Sequence, residues 1–121
     1  IGQESLISQA SLNFNNNMLV NIADLSKTVA TLDAAYYVNV FQGTPGSYGF
    51  TDSTNPVCTS VDAGPGIGIG AGEVNSALCN TGTLLAGADV NAYVFADKVY
   101  LAPYAHRQLG NYVHDRLRLR W

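Results

Sequence analysis

Charged side chains are scarce in this 121-residue chain, at 12% of positions against 47% hydrophobic ones. That balance excludes a disordered, highly charged segment and indicates a chain that buries apolar surface. Basic residues are fewer than acidic ones: six Lys and Arg against nine Asp and Glu give a net charge of -3. No field over the whole chain therefore attracts nucleic acid or an anionic membrane. No apolar run approaches the roughly 18 residues of a membrane-spanning helix. The chain opens at Ile1 with no initiator Met, charged leader or apolar signal core, as expected of a fragment or a processed product. None of the serines at 5, 8, 11, 26, 47, 53, 60 and 76 sits in a Gly-x-Ser-x-Gly elbow, so no nucleophile is marked by that motif.

The length suits one small domain spanning residues 1–121 and is too short for two. Its charge is uneven. Residues 1–106 carry two basic and eight acidic groups, whereas Arg107, Arg116, Arg118 and Arg120 face only Asp115 in the last stretch. The two cysteines, Cys58 and Cys79, lie in a Gly-, Thr- and Asn-rich region. With no CxxC and only two distant histidines they cannot complete a four-ligand zinc cage, which favours a disulfide. A disulfide in turn implies a periplasmic or extracellular location.

Ile7, Ala10, Phe14, Met18, Ile22, Leu25 and Val29 recur at intervals of three and four, predicting an amphipathic helix from Glu4 to about Leu32. The Asn run at 15–17 lowers helix propensity, and fraying or a break is expected there. The run Ala35–Phe41 is aromatic and β-branched and precedes Gly43-Thr44-Pro45-Gly46, a pattern that predicts a strand and a turn. From 51 to 91 there is little periodicity, which predicts a long loop containing the cysteines. Its alternating glycines at 64–72 follow no strand and precede no Lys-Ser/Thr pair, so a flexible loop is expected in preference to a phosphate cradle. Tyr93-Val94-Phe95 is a short buried run leading to Asp97. Pro103 suits the first turn of a helix reaching about Leu117, with arginines near its C-terminal end. The final Arg-Leu-Arg-Leu-Arg-Trp alternates like a strand, and is equally compatible with a frayed tail.

The block Phe95-Ala96-Asp97-Lys98-Val99-Tyr100-Leu101-Ala102-Pro103, continuing through His106-Arg107 to Asn111-Tyr112, carries a family resemblance. With the upstream Phe14-Asn15 and Tyr48-Gly49-Phe50, it resembles the C-terminal part of the GDSL, or SGNH, ester hydrolases. The likeness is to the passenger domains of bacterial autotransporter esterases in particular. Their last block reads aromatic-x-Asp-x-x-His-Pro-Thr, followed by His/Gln-Arg and Asp/Asn-Tyr. The resemblance implies an α/β fold: the C-terminal portion of a three-layer α/β/α SGNH-hydrolase fold, with an incomplete parallel sheet. It also implies carboxylesterase or lipase chemistry by acyl transfer to serine and then water, on ester or lipid substrates, with no metal or organic cofactor. The location it implies is secreted, periplasmic or on the bacterial cell surface, at the outer membrane if a barrel is attached.

Two departures bear on activity. The family's Gly-Asp-Ser block and its Gly-x-Asn-Asp block do not occur here, so the nucleophile and oxyanion donors belong to a missing N-terminal segment. Asp97 matches the triad acid, but Tyr100 stands at the family's histidine position. A tyrosine with a pKa near 10 is almost wholly protonated at neutral pH and cannot serve as the base. His106 and His114 are poorly spaced to replace it. The resemblance therefore implies a fragment that is inactive by itself; a non-catalytic surface or interaction module built on the same scaffold is the alternative. Two apolar helix faces without most of a sheet to cover predict marginal folding or self-association.

Overall fold

Why the segment before the first turn is a helix, and not the expected strand, is visible at its start. In the computed structural model, which describes residues 3–25, 27–64 and 70–121, the Asp33 carboxylate accepts the Tyr36 N–H at 2.8 Å. This is a helix N-cap, and it opens a helix over Ala34–Gly43. Ala34 and Ala35 are strong helix formers, and Tyr37 and Phe41, four apart, fall on one face. A seven-residue run that is apolar at all but Asn39 satisfies both periodicities, and the cap decides between them.

Four regular elements follow a first helix. Helix α1 spans Glu4–Asn21, helix α2 is Ala34–Gly43, strand β1 is Asp52–Pro56, strand β2 is Tyr93–Phe95 and helix α3 is Pro103–Arg120. Contacts divide the chain into two units, one running to Thr31 and one spanning Leu32–Leu119.

In the first unit, α1 runs through the Asn-rich stretch where a break was expected. The amides of Asn17 and Asn21 donate to the carbonyls of Asn13 and Asn17, at 2.8 and 2.7 Å, so they bond along the helix and do not compete with it. The helix stops at Asn21, short of Leu32, and a 3-10 turn at Ala23–Leu25 follows. No residue of α1 is buried. Its apolar stripe is exposed, Phe14 at 68%.

The second unit is α/β: β1 and β2 pair in parallel, with Asp52 opposite Tyr93 and Pro56 opposite Phe95. The register shifts between those pairs because the Asp52 carboxylate takes the N–H groups of Thr54 and Asn55 at 2.9 and 2.8 Å, and Pro56 has none to offer. Gly49 supplies the left-handed conformation (φ 83°) that ends the 3-10 turn Pro45–Tyr48, a backbone region that favours glycine. Phe41, Phe50, Val94 of β2 and Ala105 form one buried cluster. Phe41 meets Tyr48 and Phe50 edge-on at 5.0 and 5.3 Å, and Tyr37 of α2 stacks on Tyr112 of α3 at 4.0 Å. Each such ring pair adds about 0.5–1.5 kcal/mol beyond its buried area. A second cluster joins Val57, Cys58, Ala96 and Ala102.

The stretch expected as a loop is the crossover between the parallel strands. It contains β1 at its start, and hydrogen bonds from the backbone and short side chains order much of the rest. Antiparallel bridges pair Val61 with Val74 and Cys58 with Leu84, and three 3-10 turns lie at Ser76–Leu78, Thr81–Thr83 and Val90–Ala92. Cys58 and Cys79 form a disulfide across 21 positions, stabilising by roughly 3 kcal/mol in the chain-entropy account. Residues 65–69 of the glycine-rich segment lie outside the described residues, as does Ser26. At the other end, α3 is helical through Arg120, so the alternating Arg-Leu sequence is not a strand.

The cap on α2 gives a direct test. Asp33→Ala is expected to lower stability by about 1 kcal/mol, read as a reduced urea midpoint because α2 carries Phe41 into the core. Asp33→Asn should recover most of it. An alanine variant as stable as the parent would remove the cap from the account of why this segment is helical.

Candidate functional site

Strand β2 ends at Phe95 and the chain turns back on itself at once. Ala102 N–H donates to the Val94 carbonyl and Ala96 N–H to the Tyr100 carbonyl, each at 2.8 Å, and Phe95 bridges Leu101. The tip of this reversal is Asp97 to Tyr100. An aspartate favours such a tip because its carboxylate can accept the N–H groups two and three residues on. Here Oδ1 accepts from Val99 at 2.8 Å and Tyr100 at 2.7 Å.

Asp97 is 0% exposed, and a buried charge requires compensation. Its other oxygen, Oδ2, accepts the Ser76 N–H at 2.8 Å from the start of a 3-10 turn in the crossover. Burial pushes the carboxyl's pKa up. The polar Ser76 side chain and the hydrogen bonds from the N–H groups of Ser76, Val99 and Tyr100 outweigh it and hold the group below its ordinary value. Asp97 is thus an ionised carboxylate at the C-terminal end of a parallel strand, the end at which α/β proteins place ligands.

A polar network extends from Ser76 into the crossover. Neighbouring Asn75 is buried; its side chain donates to Asp62 Oδ2 and accepts from Ala77 N–H, both at 2.9 Å. Its backbone is locked to Ser60 in both directions, N–H to carbonyl at 2.8 Å and Ser60 Oγ to the Asn75 carbonyl at 2.9 Å. Hydrogen bonds from the Asn75 side chain and Gly64 N–H hold Asp62 below the ordinary carboxylate range. Composition and family pattern do not single out Ser60, Asp62, Asn75 or Ser76. The available signal is the Asx spacing: Asp62 caps Gly64 N–H and Asn75 caps Ala77 N–H, each two residues on.

Tyr100 occupies the fourth position of the Asp97 turn but touches the carboxylate through its backbone N–H, while the residue as a whole is 50% exposed. His106 is exposed in the first turn of α3. His114 is exposed near its end, with Nδ1 3.4 Å from Asp115. Among the described residues no hydrogen bond joins a serine hydroxyl to a histidine: Ser53 Oγ donates to the Gln42 carbonyl, Ser60 Oγ to that of Asn75. Lys98 and Glu73 pair at 2.7 Å in solvent, a contact of little energetic weight. Among the described residues no group of three His, Cys, Asp or Glu side chains is placed to hold a metal ion, and no helix is long and apolar enough to cross a membrane.

The site thus brings together a buried carboxylate, its turn, and a crossover segment tethered by the disulfide. Among the described residues no histidine is hydrogen-bonded to that carboxylate, and Ser76 meets it through the backbone N–H. No protein-family model, curated protein or solved structure matches the chain.

Proposed function

We propose that this chain is the C-terminal portion of a GDSL-type hydrolase of carboxylic or lipid esters, with Asp97 at the triad-acid position and Tyr100 at that of the base, and that alone it does not hydrolyse esters. On this reading the fold is part of a three-layer α/β/α hydrolase, and the nucleophile and oxyanion donors come from an N-terminal segment. The observation that carries the reading is the placement of Asp97: buried and ionised at the C-terminal end of a parallel strand, at the head of a turn that leads directly into the Pro103 helix. In such a site serine attacks the ester carbonyl as histidine takes its proton, the aspartate holds the imidazole in the correct orientation, and water then releases the acyl group. A phenol at the base position does not take that proton at neutral pH. The disulfide supports a secreted, periplasmic or cell-surface location.

A second reading, a non-catalytic surface module on the same scaffold, is favoured by a specific feature of the same carboxylate. Three N–H groups from two separate segments already donate to its two oxygens, most of the about four lone-pair directions a carboxylate offers. Asp97 then has a sufficient structural role.

Treating the purified chain with a fluorophosphonate serine-hydrolase probe and mapping the peptides tests the absence of activity. No labelled serine is expected. Labelling at any serine would reveal a competent nucleophile in this chain and defeat the proposal that it is inert alone.

A further inference from the structure

The disulfide and the Asp97 carboxylate are linked through two short segments. Cys58 directly follows Val57 beyond β1, and its N–H donates to the Ala96 carbonyl at 3.1 Å, next to Asp97. Cys79 closes the 3-10 turn that Ser76 opens, its N–H donating to the Ser76 carbonyl at 3.0 Å. The covalent bridge therefore ties the segment bearing the Ser76 N–H to the chain beside Asp97.

The two carboxylate oxygens depend on this bridge differently. Oδ1 is served from within its own turn, by Val99 and Tyr100. Oδ2 is served by Ser76, 21 positions earlier in the chain. We propose that the Cys58–Cys79 disulfide is a redox-sensitive clamp on Asp97, whose reduction releases the Ser76 N–H from Oδ2 and leaves the 97–100 turn intact. The paired hydrogen bonds between Ser60 and Asn75 and the parallel strands hold the surrounding structure, so the release is local. The acceptor site that the Ser76 N–H fills on Oδ2 is vacated, and another N–H donor can occupy it.

The reductant is a dithiol. Cys79 is the half-buried partner and Cys58 the buried one, so a thiolate of the reductant attacks the Cys79 sulfur and the Cys58 sulfur leaves as thiolate. The second thiol of the reductant then displaces Cys79 and closes the reductant's own disulfide. Two electrons and two protons pass from the dithiol to the cysteine pair. As regulation of Asp97 in catalysis, the clamp rests on the ester-hydrolase reading; the test below reads amide protection and no activity, so either can fail without the other.

Residue-resolved amide hydrogen exchange of the oxidised chain and of the same chain in dithiothreitol provides that test. In the reduced chain, exchange at Ser76 is expected to accelerate about tenfold or more, while Val99, Tyr100 and Ala102 keep their protection; reoxidation restores Ser76. Unchanged Ser76 protection after complete reduction overturns the clamp. So does simultaneous loss of protection at all four amides, since the disulfide would then hold the whole fold and not Asp97 in particular.

Discussion

Asp97→Ala is expected to reduce unfolding free energy by about 3–5 kcal/mol, because it leaves three N–H groups facing a buried space with no acceptor, each worth roughly 1–3 kcal/mol. Those donors are the amides of Ser76, Val99 and Tyr100. Against the roughly 5–15 kcal/mol that stabilises an ordinary domain, such a loss leaves the second unit near its folding threshold. Asp97→Asn should be milder. Its amide oxygen can keep the Val99 and Tyr100 bonds, but its NH2 opposes the Ser76 N–H, donor against donor. Urea unfolding followed by circular dichroism orders the three proteins, and an alanine variant within about 1 kcal/mol of the parent would mean that the carboxylate does not organise this turn.

The same variants make a prediction for acid. The folded-state pKa of Asp97 is depressed relative to about 3.9 in an unfolded chain. Its contribution is therefore fully present above that unfolded value and lost as pH falls through the folded one. Asp52 and Asp62 are depressed as well, Asp62 by hydrogen bonds from Asn75 and Gly64 and Asp52 by those of Asn55 and Thr54, which overcome its partial burial. Stability of the parent should fall steeply on acidification below about pH 4. Asp97→Asn should show a shallower fall, retaining only what Asp52 and Asp62 contribute.

Elements whose order is written in local chemistry are the ones legible from the residues. Pro103 at a helix start and the Cys58–Cys79 pairing match the structure; the run 93–95, expected to be buried, is a strand of which Val94 is buried and its two neighbours partly so. The Ala35–Phe41 segment fails on local chemistry too, because a short apolar run has no unique period and the Asp33 cap outweighs β-branching. The crossover is a different case. Its order comes from single side-chain acceptors, Asp62 on Gly64 and Asn75 on Ala77, which leave no periodic trace, and from bridges such as Val61 to Val74 that exist only once the chain is folded. In the site, Asp97 and its turn partners can be read from the Asx spacing. Ser76 cannot, because nothing local to it points 21 positions onward to the carboxylate it meets.

Tyr100→His carries the largest expected effect on activity. On the ester-hydrolase reading, the chain joined behind an N-terminal portion bearing the family's Gly-Asp-Ser and Gly-x-Asn-Asp blocks has nucleophile, oxyanion donors and acid, and lacks only the base. Restoring an imidazole, whose ordinary pKa is about 6.5, supplies a group able to accept the serine proton near neutral pH. A positioned general base contributes about 10²–10⁴-fold, so the histidine variant should hydrolyse a short-chain ester faster than its tyrosine parent by that factor. The backbone need not rearrange, since the turn is held by the residue-100 N–H on Asp97 and not by the ring. Adding Asp97→Asn to the histidine variant should then remove most of the gain, as triad-acid replacements do by about 10⁴-fold, and the loss should exceed any change in the fraction folded. The non-catalytic reading predicts a different pair of results: folded joined proteins, equally inert with tyrosine or histidine at position 100. A correctly folded histidine variant with no gain would exclude Tyr100 as the site of the missing base and leave Asp97 with the structural role that its carboxylate already fulfils for three N–H groups.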